Sequence, residues 1–570
     1  MKRLLAWAAA ALLISGCAAP APPQQSVPAA SGPAETPSPA EVQTLSSGSA
    51  ATGKNAAVSS ANPAASAIGA QILQRGGNAV DAAVAVSFAL GLLEPNASGV
   101  GGCGYAVYVP AVGEPAFYDY RSAAPAAFDP GAFTALPAEE QKHSVAAAGV
   151  PGAVAGWLSL HEQYGRLPLD ELLEPAIDLS ENGFEVLPFL ASLFTDNYNL
   201  LLKDESCAAL LLNDDFPYME GEVMKNPGYA KTLRKIAAEG RDGFYQGEIA
   251  EAIVSASSAR GGTMTLEDLA SYEVRVGKPL EGNYRGFTIL TSAPSSSGGI
   301  ALIESLNLLE RCDLPASGVN TPLTLHRMGE AFKIANADRY SYVGDPAFTD
   351  IPTEMLISKE YADERAALLS DERVLSDLEV LPDNQSTSTT HLSIIDAEGN
   401  AVSMTNTLGT YFGCAVAVDG WGFLLDNQLH DFSIEEWEAN APEPGKRPRS
   451  SMTPTVLLRD GKPVAALGSP GGEAIVSTVA QIICDLVDFG MPVDEAINLP
   501  RIYQNCTGPL VVEGGHAEST LSGLEALGHT LQRREELDYF FGGVHAVVRN
   551  ADGTLTGAAD PRRDGGVCAY

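Results

Sequence analysis

The chain predicts an α+β fold in which antiparallel hairpins stand beside buried helices. Three observations carry this expectation. Tight two-stranded hairpins recur in the last third of the chain, two capped helices stand near its start, and a long apolar run follows directly on a glycine-rich turn.

In chain order, Asn62-Pro63 supplies a cap and a first turn for a helix reaching about Arg75, which Gly76-Gly77 stops. Asn78 with Asp81 opens a second helix through Leu93, apolar nearly all round and therefore buried. Gly104 to Tyr120 reads as a hairpin that delivers Arg121 at its end. Thr389 to Ile395 alternates as a strand, Asp396 to Asn400 turns the chain, and Ala401 to Thr407 returns beside it. The same plan is repeated by Pro454 to Leu458 with Pro463 to Leu467, and by His545 to Arg549 with Thr554 to Ala558. Between these last two hairpins, Gly468-Ser469-Pro470-Gly471-Gly472 leads into the apolar helix Ala474 to Leu486. A strand, a glycine turn and a helix start in that order expose backbone N–H groups, which is what an oxyanion needs.

The run Ser386-Thr387-Ser388-Thr389-Thr390-His391 stands at the start of one strand. By itself such a run is a polar loop, because Ser and Thr bond to their own backbone in turns. At a strand start it has a second use. If the chain is cut before Thr389, the freed α-amino group has a pKa of about 8 and can take the proton of the same residue's hydroxyl.

With these motifs in view, the stretch from about Lys54 to Tyr570 resembles the γ-glutamyltransferase (γ-glutamyl transpeptidase) family. The ordered matches are Gly76-Gly77-Asn78-Ala79-Val80-Asp81, Glu94-Pro95, Ser98 to Gly102, Gly149-Val150-Pro151-Gly152, Pro294 with Ser296 to Gly299, Ala337-Asp338-Arg339, Thr389-Thr390-His391, Lys446-Arg447-Pro448, Ser450-Ser451-Met452, Gly468 to Gly472 and Asp560-Pro561-Arg562. The resemblance implies a four-layer αββα sandwich of the N-terminal-nucleophile hydrolase type, made as one precursor that cuts itself between Ser388 and Thr389. Residues 54–388 would form a large subunit and residues 389–570 a small one, paired as a heterodimer. It further implies Thr389 as nucleophile, Thr407 as the hydroxyl that orients it, and Gly471 and Gly472 as oxyanion donors. Arg121, Ser450 and Ser451 match the α-carboxylate side of the donor pocket, and Gln428 and Asp431 its ammonium side. A γ-glutamyl donor carries both charges on one carbon, so a cation and an anion facing each other fit it better than they fit a plain acyl chain.

The implied activity is transfer of the γ-glutamyl group of glutathione and related amides to water or to an amino acid or peptide acceptor. Two departures bear on the donor: Gly409 stands where many relatives have an asparagine, and Ser122 where a glutamate is usual. The segment between Asp431 and Ser450 is short for a lid and predicts a site open to water. The alternatives are a glutaryl- or cephalosporin-type acylase of the same fold, and an inactive surface-binding homologue.

Composition frames the rest. Met1 to Cys17 resembles a bacterial lipoprotein signal with Cys17 as the lipidated residue, and its apolar run is too short to span a membrane. The Pro/Ala/Ser-rich residues 17–53 predict a disordered tether, so the protein is expected to be exported and held by lipid alone to the bacterial cell envelope, on its extracellular or periplasmic face. Thirty-five basic against seventy-one acidic residues give a net charge of −36, which argues against nucleic acid. The cysteines have no zinc spacing and there is no phosphate or dinucleotide loop, so no cofactor or metal is expected.

Overall fold

A computed structural model describes residues 43–45, 48–378, 380, 388–435 and 437–570. The signal segment, Cys17, most of the tether, and Ser386-Thr387 lie outside the described residues.

Two antiparallel sheets form the centre. The first has eight strands in the order Gln43–Leu45, Gly566–Ala569, Ala57–Ser60, Ser388–Ile395, Ala401–Gly409, Cys103–Val109, Ala116–Tyr120 and Arg275–Gly277. The second has seven, in the order Leu280–Tyr284, Phe287–Thr291, Thr455–Arg459, Lys462–Gly468, His545–Arg549, Leu555–Ala559 and Ala50–Gly53. Because side chains alternate along a strand, one face of the first sheet offers Ala106, Tyr108, Leu392, Ile394 and Met404 to the helices Pro63–Gln74, Ala79–Leu93 and Ala153–Tyr164. Its other face offers Tyr105, Val107, Phe117 and Ile395 to Val456, Leu467 and Ala546 of the second sheet. Beyond that sheet pack the helices Gly298–Leu309, Pro322–Tyr342 and Ile475–Val487. The layers are αββα, as expected.

The predicted helix starts hold at the level of single bonds. The Asn62 side chain accepts from the N–H of Ala64 at 2.9 Å, and Asn78 with Asp81 forms a reciprocal capping box. Every residue of Ala79–Leu93 is buried. Hairpin ends differ from the sequence reading by one or two residues.

The tether expectation needs correction at its C-terminal end. Gln43–Leu45 pairs with Gly566–Ala569, and Ala50–Gly53 pairs with Leu555–Ala559, so the folded unit begins near residue 43 instead of residue 54. Small residues suit the strand Ala50–Gly53 because the packing is close. Ala51 is buried, and a side chain on Gly53 would meet the backbone of Tyr570 at 2.3 Å. Among the described residues no helix is long and apolar enough to cross a membrane.

Candidate active site

The strand Ser388–Ile395 is irregular between Ser388 and Thr390, and the irregularity frees Thr389 from regular pairing with its neighbour strand. The chain runs uncut through this point. The Thr389 hydroxyl donates to the Ser388 carbonyl at 2.5 Å and lies 3.3 Å from the Thr407 hydroxyl. Thr407 donates to the same carbonyl at 2.7 Å and accepts from the Gly409 N–H at 2.9 Å. Two hydroxyl donors therefore converge on the carbonyl of one peptide bond, and all these groups are buried.

Three residues that sequence reasoning left without a role complete the surroundings of Thr389. Arg563 donates to the Thr389 carbonyl at 3.0 Å, Asn96 accepts from the Ser388 hydroxyl at 2.8 Å, and Glu94 accepts from the Thr390 hydroxyl at 2.5 Å. Burial raises the Glu94 carboxyl to about 7, against the lowering pull of its bond to Thr390 and of the Arg563 charge. The signal was present in the sequence as charged residues inside otherwise apolar or glycine-rich motifs, Glu94-Pro95 and Arg562-Arg563.

On the second sheet's side, His391 bonds to Thr405 at 2.8 Å and to Ser393 at 3.0 Å. Burial, then nearby His545, holds its pKa well below the usual value, so it is neutral. Its ring sits where a side chain on Gly468 would be, at 2.3 Å, which explains glycine at the end of that strand. The loop that follows turns at Gly471 and Gly472, whose φ values of 126° and 56° favour glycine. Ser451 donates to the Gly472 carbonyl at 2.6 Å and fixes the loop. The loop rests on Gly542, whose neighbour Gly543 packs against the Arg563 side chain. One chain of contacts thus links the glycine loop to Thr389.

Arg121 is fully buried and carries the remaining predicted pocket residues. It donates to the Gln428 side chain, to Asp431 at 2.5 Å, and to the carbonyls of Pro448 at 3.1 Å and Arg449 at 3.3 Å. Arg121 and Asp431 are therefore joined as an ion pair and do not stand apart as two walls. The predicted serines sit close by with other duties: Ser450 accepts from the N–H of Met452 at 3.1 Å, and Ser451 holds the glycine loop. Ser122 donates to Asp426, which also accepts from the N–H groups of Gly149 and Gln428. Burial pushes the Asp426 carboxyl up to about 7, although these hydrogen bonds lower it.

In the continuous chain, before any cut, the candidate nucleophile and the pocket arginine are both buried. Thr389 is 1% exposed and Arg121 0%. Short as it is, the segment after Asp431 is pinned by Asn440, which donates to the Asp431 carbonyl and accepts from the Arg449 N–H, both at 2.7 Å. This pinning brings the Pro448 and Arg449 carbonyls onto Arg121. Gly409 also has a local reason. Its φ is 102°, and a side chain there would meet Asn427 Oδ1 at 2.0 Å.

The chain is similar to known proteins along most of its length. The Gamma-glutamyltranspeptidase family model matches residues 65–570. The glutathione hydrolase proenzyme of Escherichia coli (strain K12) is 38% identical over 511 residues, covering 86% of this chain and 87% of the relative. The acylase ACY 1 proenzyme of Pseudomonas sp. (strain SE83) is 38% identical over 506 residues, covering 87% of this chain and 90% of the relative. Among solved structures, the cephalosporin acylase from Bacillus halodurans superposes with a TM-score of 0.85 at 30% identity, covering 94% of this chain and 99% of that one. The chain belongs to the gamma-glutamyltranspeptidase family.

Proposed function

We propose that the chain is a glutathione hydrolase and γ-glutamyltransferase that matures by cutting itself before Thr389. The observation that carries the reading is the Thr389 hydroxyl lying against the Ser388 carbonyl with Thr407 as the second donor. Attack of Thr389 Oγ1 on the Ser388 carbonyl carbon closes a five-membered ring, whose oxyanion is stabilised by the Thr407 hydroxyl. Collapse breaks the C–N bond, the amide nitrogen takes the proton, and an ester joins Ser388 to Thr389. Water then hydrolyses the ester, leaving Ser388 with a carboxylate and Thr389 with a free amine.

In the mature form the Thr389 amine serves as base while its hydroxyl attacks the γ-carbonyl of the donor. Gly471 and Gly472 offer N–H groups to the oxyanion, the leaving amine departs protonated, and water or an amine acceptor releases the acyl group from Thr389. Donor choice follows from charge. A γ-glutamyl group entering between Arg121 and Asp431 replaces each partner with its own carboxylate and ammonium, so neither buried charge is left unpaired. A glutaryl group supplies only the carboxylate and brings no ammonium to replace the Arg121 charge beside Asp431, at a cost on the order of 2 to 5 kcal/mol.

The acylase reading rests on relatives named as acylases and on Gly409. Competition between γ-glutamyl and glutaryl anilides decides the matter, and a higher kcat/KM for the glutaryl anilide would establish an acylase. Residues Met1 to Cys17 support export with a lipid anchor on Cys17, which the intact mass of membrane-extracted protein tests.

A further inference from the structure

Remote in sequence from the Thr389 strand, three buried side chains turn their donor atoms toward one point. His326 and Glu330 lie one turn apart on the helix Pro322–Tyr342, and His529 follows Gly528 after the helix Glu518–Ala526. The ligand atoms of all three lie within 4.8 Å of one another.

The hydrogen bonds fix which lone pairs are available. His326 Nε2 is 2.6 Å from the Ser370 carbonyl, which can only accept, so Nε2 carries the proton and Nδ1 offers a lone pair. That Nδ1 faces His529 Nε2 at 2.8 Å. A ring nitrogen whose partner N–H is held by a backbone carbonyl is the arrangement that orients metal-binding imidazoles. Glu330 Oε2 accepts from the Leu375 N–H, while Glu330 Oε1 is buried with no hydrogen-bond partner. Lys333 Nζ is 3.6 Å from Oε1, with its nearer bond to the Leu375 carbonyl at 2.7 Å.

We propose that His326 Nδ1, His529 Nε2 and Glu330 Oε1 bind one late first-row divalent cation, Zn²⁺ being the best match, with water in the fourth position. Two imidazoles and a carboxylate suit such an ion better than Mg²⁺ or Ca²⁺, which prefer all-oxygen sites. In the empty site His529 Nε2–H donates to His326 Nδ1. Loading moves that proton to His529 Nδ1, which frees Nε2 without changing the net charge of the ring. Two nitrogens at about 2.05 Å from a tetrahedral ion are roughly 3.3 Å apart, so the imidazoles separate by about half an ångström. The Lys333 ammonium opposes the incoming charge and keeps the affinity below that of a closed structural zinc site.

The location gives the ion a role. His326 and Glu330 precede Ser388-Thr389 and His529 follows it, so a bound ion clasps the two fragments that the proposed cut creates. The ion site itself stands whether or not the chain is cut; only the clasp rests on that reading.

The test uses full-length protein stripped with EDTA and dialysed, then loaded with one equivalent of Zn²⁺ or Co²⁺. Wild type should retain about one ion per chain by mass spectrometry and gain about 2 °C or more in Tm. The Co²⁺ form should show visible d–d bands without near-ultraviolet thiolate charge transfer. Glu330→Gln, which keeps the shape of the side chain, and His529→Ala should each lose the ion and the Tm gain. Circular dichroism checks that both are folded, and Glu330→Gln alone decides if His529→Ala is not. Failure of wild type to bind, retention of the ion by Glu330→Gln, or a thiolate band would each overturn the proposal.

Discussion

Arg121 and Asp431 form a buried pair whose two charges have no water to fall back on, so losing either partner is costly. Arg121→Ala and Asp431→Ala should each lower kcat/KM for γ-glutamyl anilides by about thirty-fold or more, on the order of 2 to 5 kcal/mol, while the chain is still cut. Glutaryl anilides should be hurt far less by Asp431→Ala, since they bring no ammonium. Glu94 gives a pH signature. Its folded pKa of about 7 lies above its ordinary 4.5, so the folded state binds the extra proton. The stability it contributes is full below about pH 4.5 and is lost as pH rises through about 7, amounting to up to about 3 kcal/mol. Melting curves of Glu94→Gln and wild type, subtracted across pH 4 to 8, should show that decline; a flat difference would mean that Glu94 is not buried as a neutral acid. The candidate nucleophile was legible because the Thr389-Thr390-His391 run opens a hairpin strand and stands among the ordered matches to the family. Glu94, Asn96 and Arg563 were not, since their roles depend on turn and helix-cap segments 174 to 296 residues away in sequence meeting the strand that carries Thr389.

The hairpins and capped helices were legible almost to the residue, because Asp-Gly turns, an Asn-Pro cap and a capping box are local signals. The edge strands Gln43–Leu45 and Ala50–Gly53 were hidden, because they are short and follow a Pro/Ala/Ser-rich stretch that reads as a linker, and only the distant partners Gly566–Ala569 and Leu555–Ala559 make them strands. In the segment after Asp431 the length was visible, but its pinning by Asn440 was not. Removal of residues 1–41 should therefore leave Tm unchanged within about 1 °C. Removal of residues 1–53 uncovers an edge of each sheet and should lower Tm by several degrees and promote aggregation, read by differential scanning fluorimetry and light scattering. Equal melting of the two truncations would show that these strands add nothing.

At the scale of the whole molecule, both sheets interleave strands from before and after Ser388. In the first sheet, Ala57–Ser60 lies between Gly566–Ala569 and Ser388–Ile395, and Cys103–Val109 borders Ala401–Gly409. In the second, Phe287–Thr291 pairs with Thr455–Arg459. A cut before Thr389 breaks one peptide bond and none of this pairing, so the fragments should co-elute on gel filtration without denaturant and separate only when the fold is lost. The −36 net charge does not oppose this, since the join is made by ladder hydrogen bonds and a shared apolar core. In the proposed function the Thr389 hydroxyl both cuts the chain and carries out its chemistry. Intact-mass spectrometry of denatured wild type and Thr389→Ala tests this most directly. Wild type should give two masses that meet between Ser388 and Thr389, and the variant a single uncut, inactive chain. A wild type that stays whole while active, or a Thr389→Ala chain cut at the same bond, would contradict it.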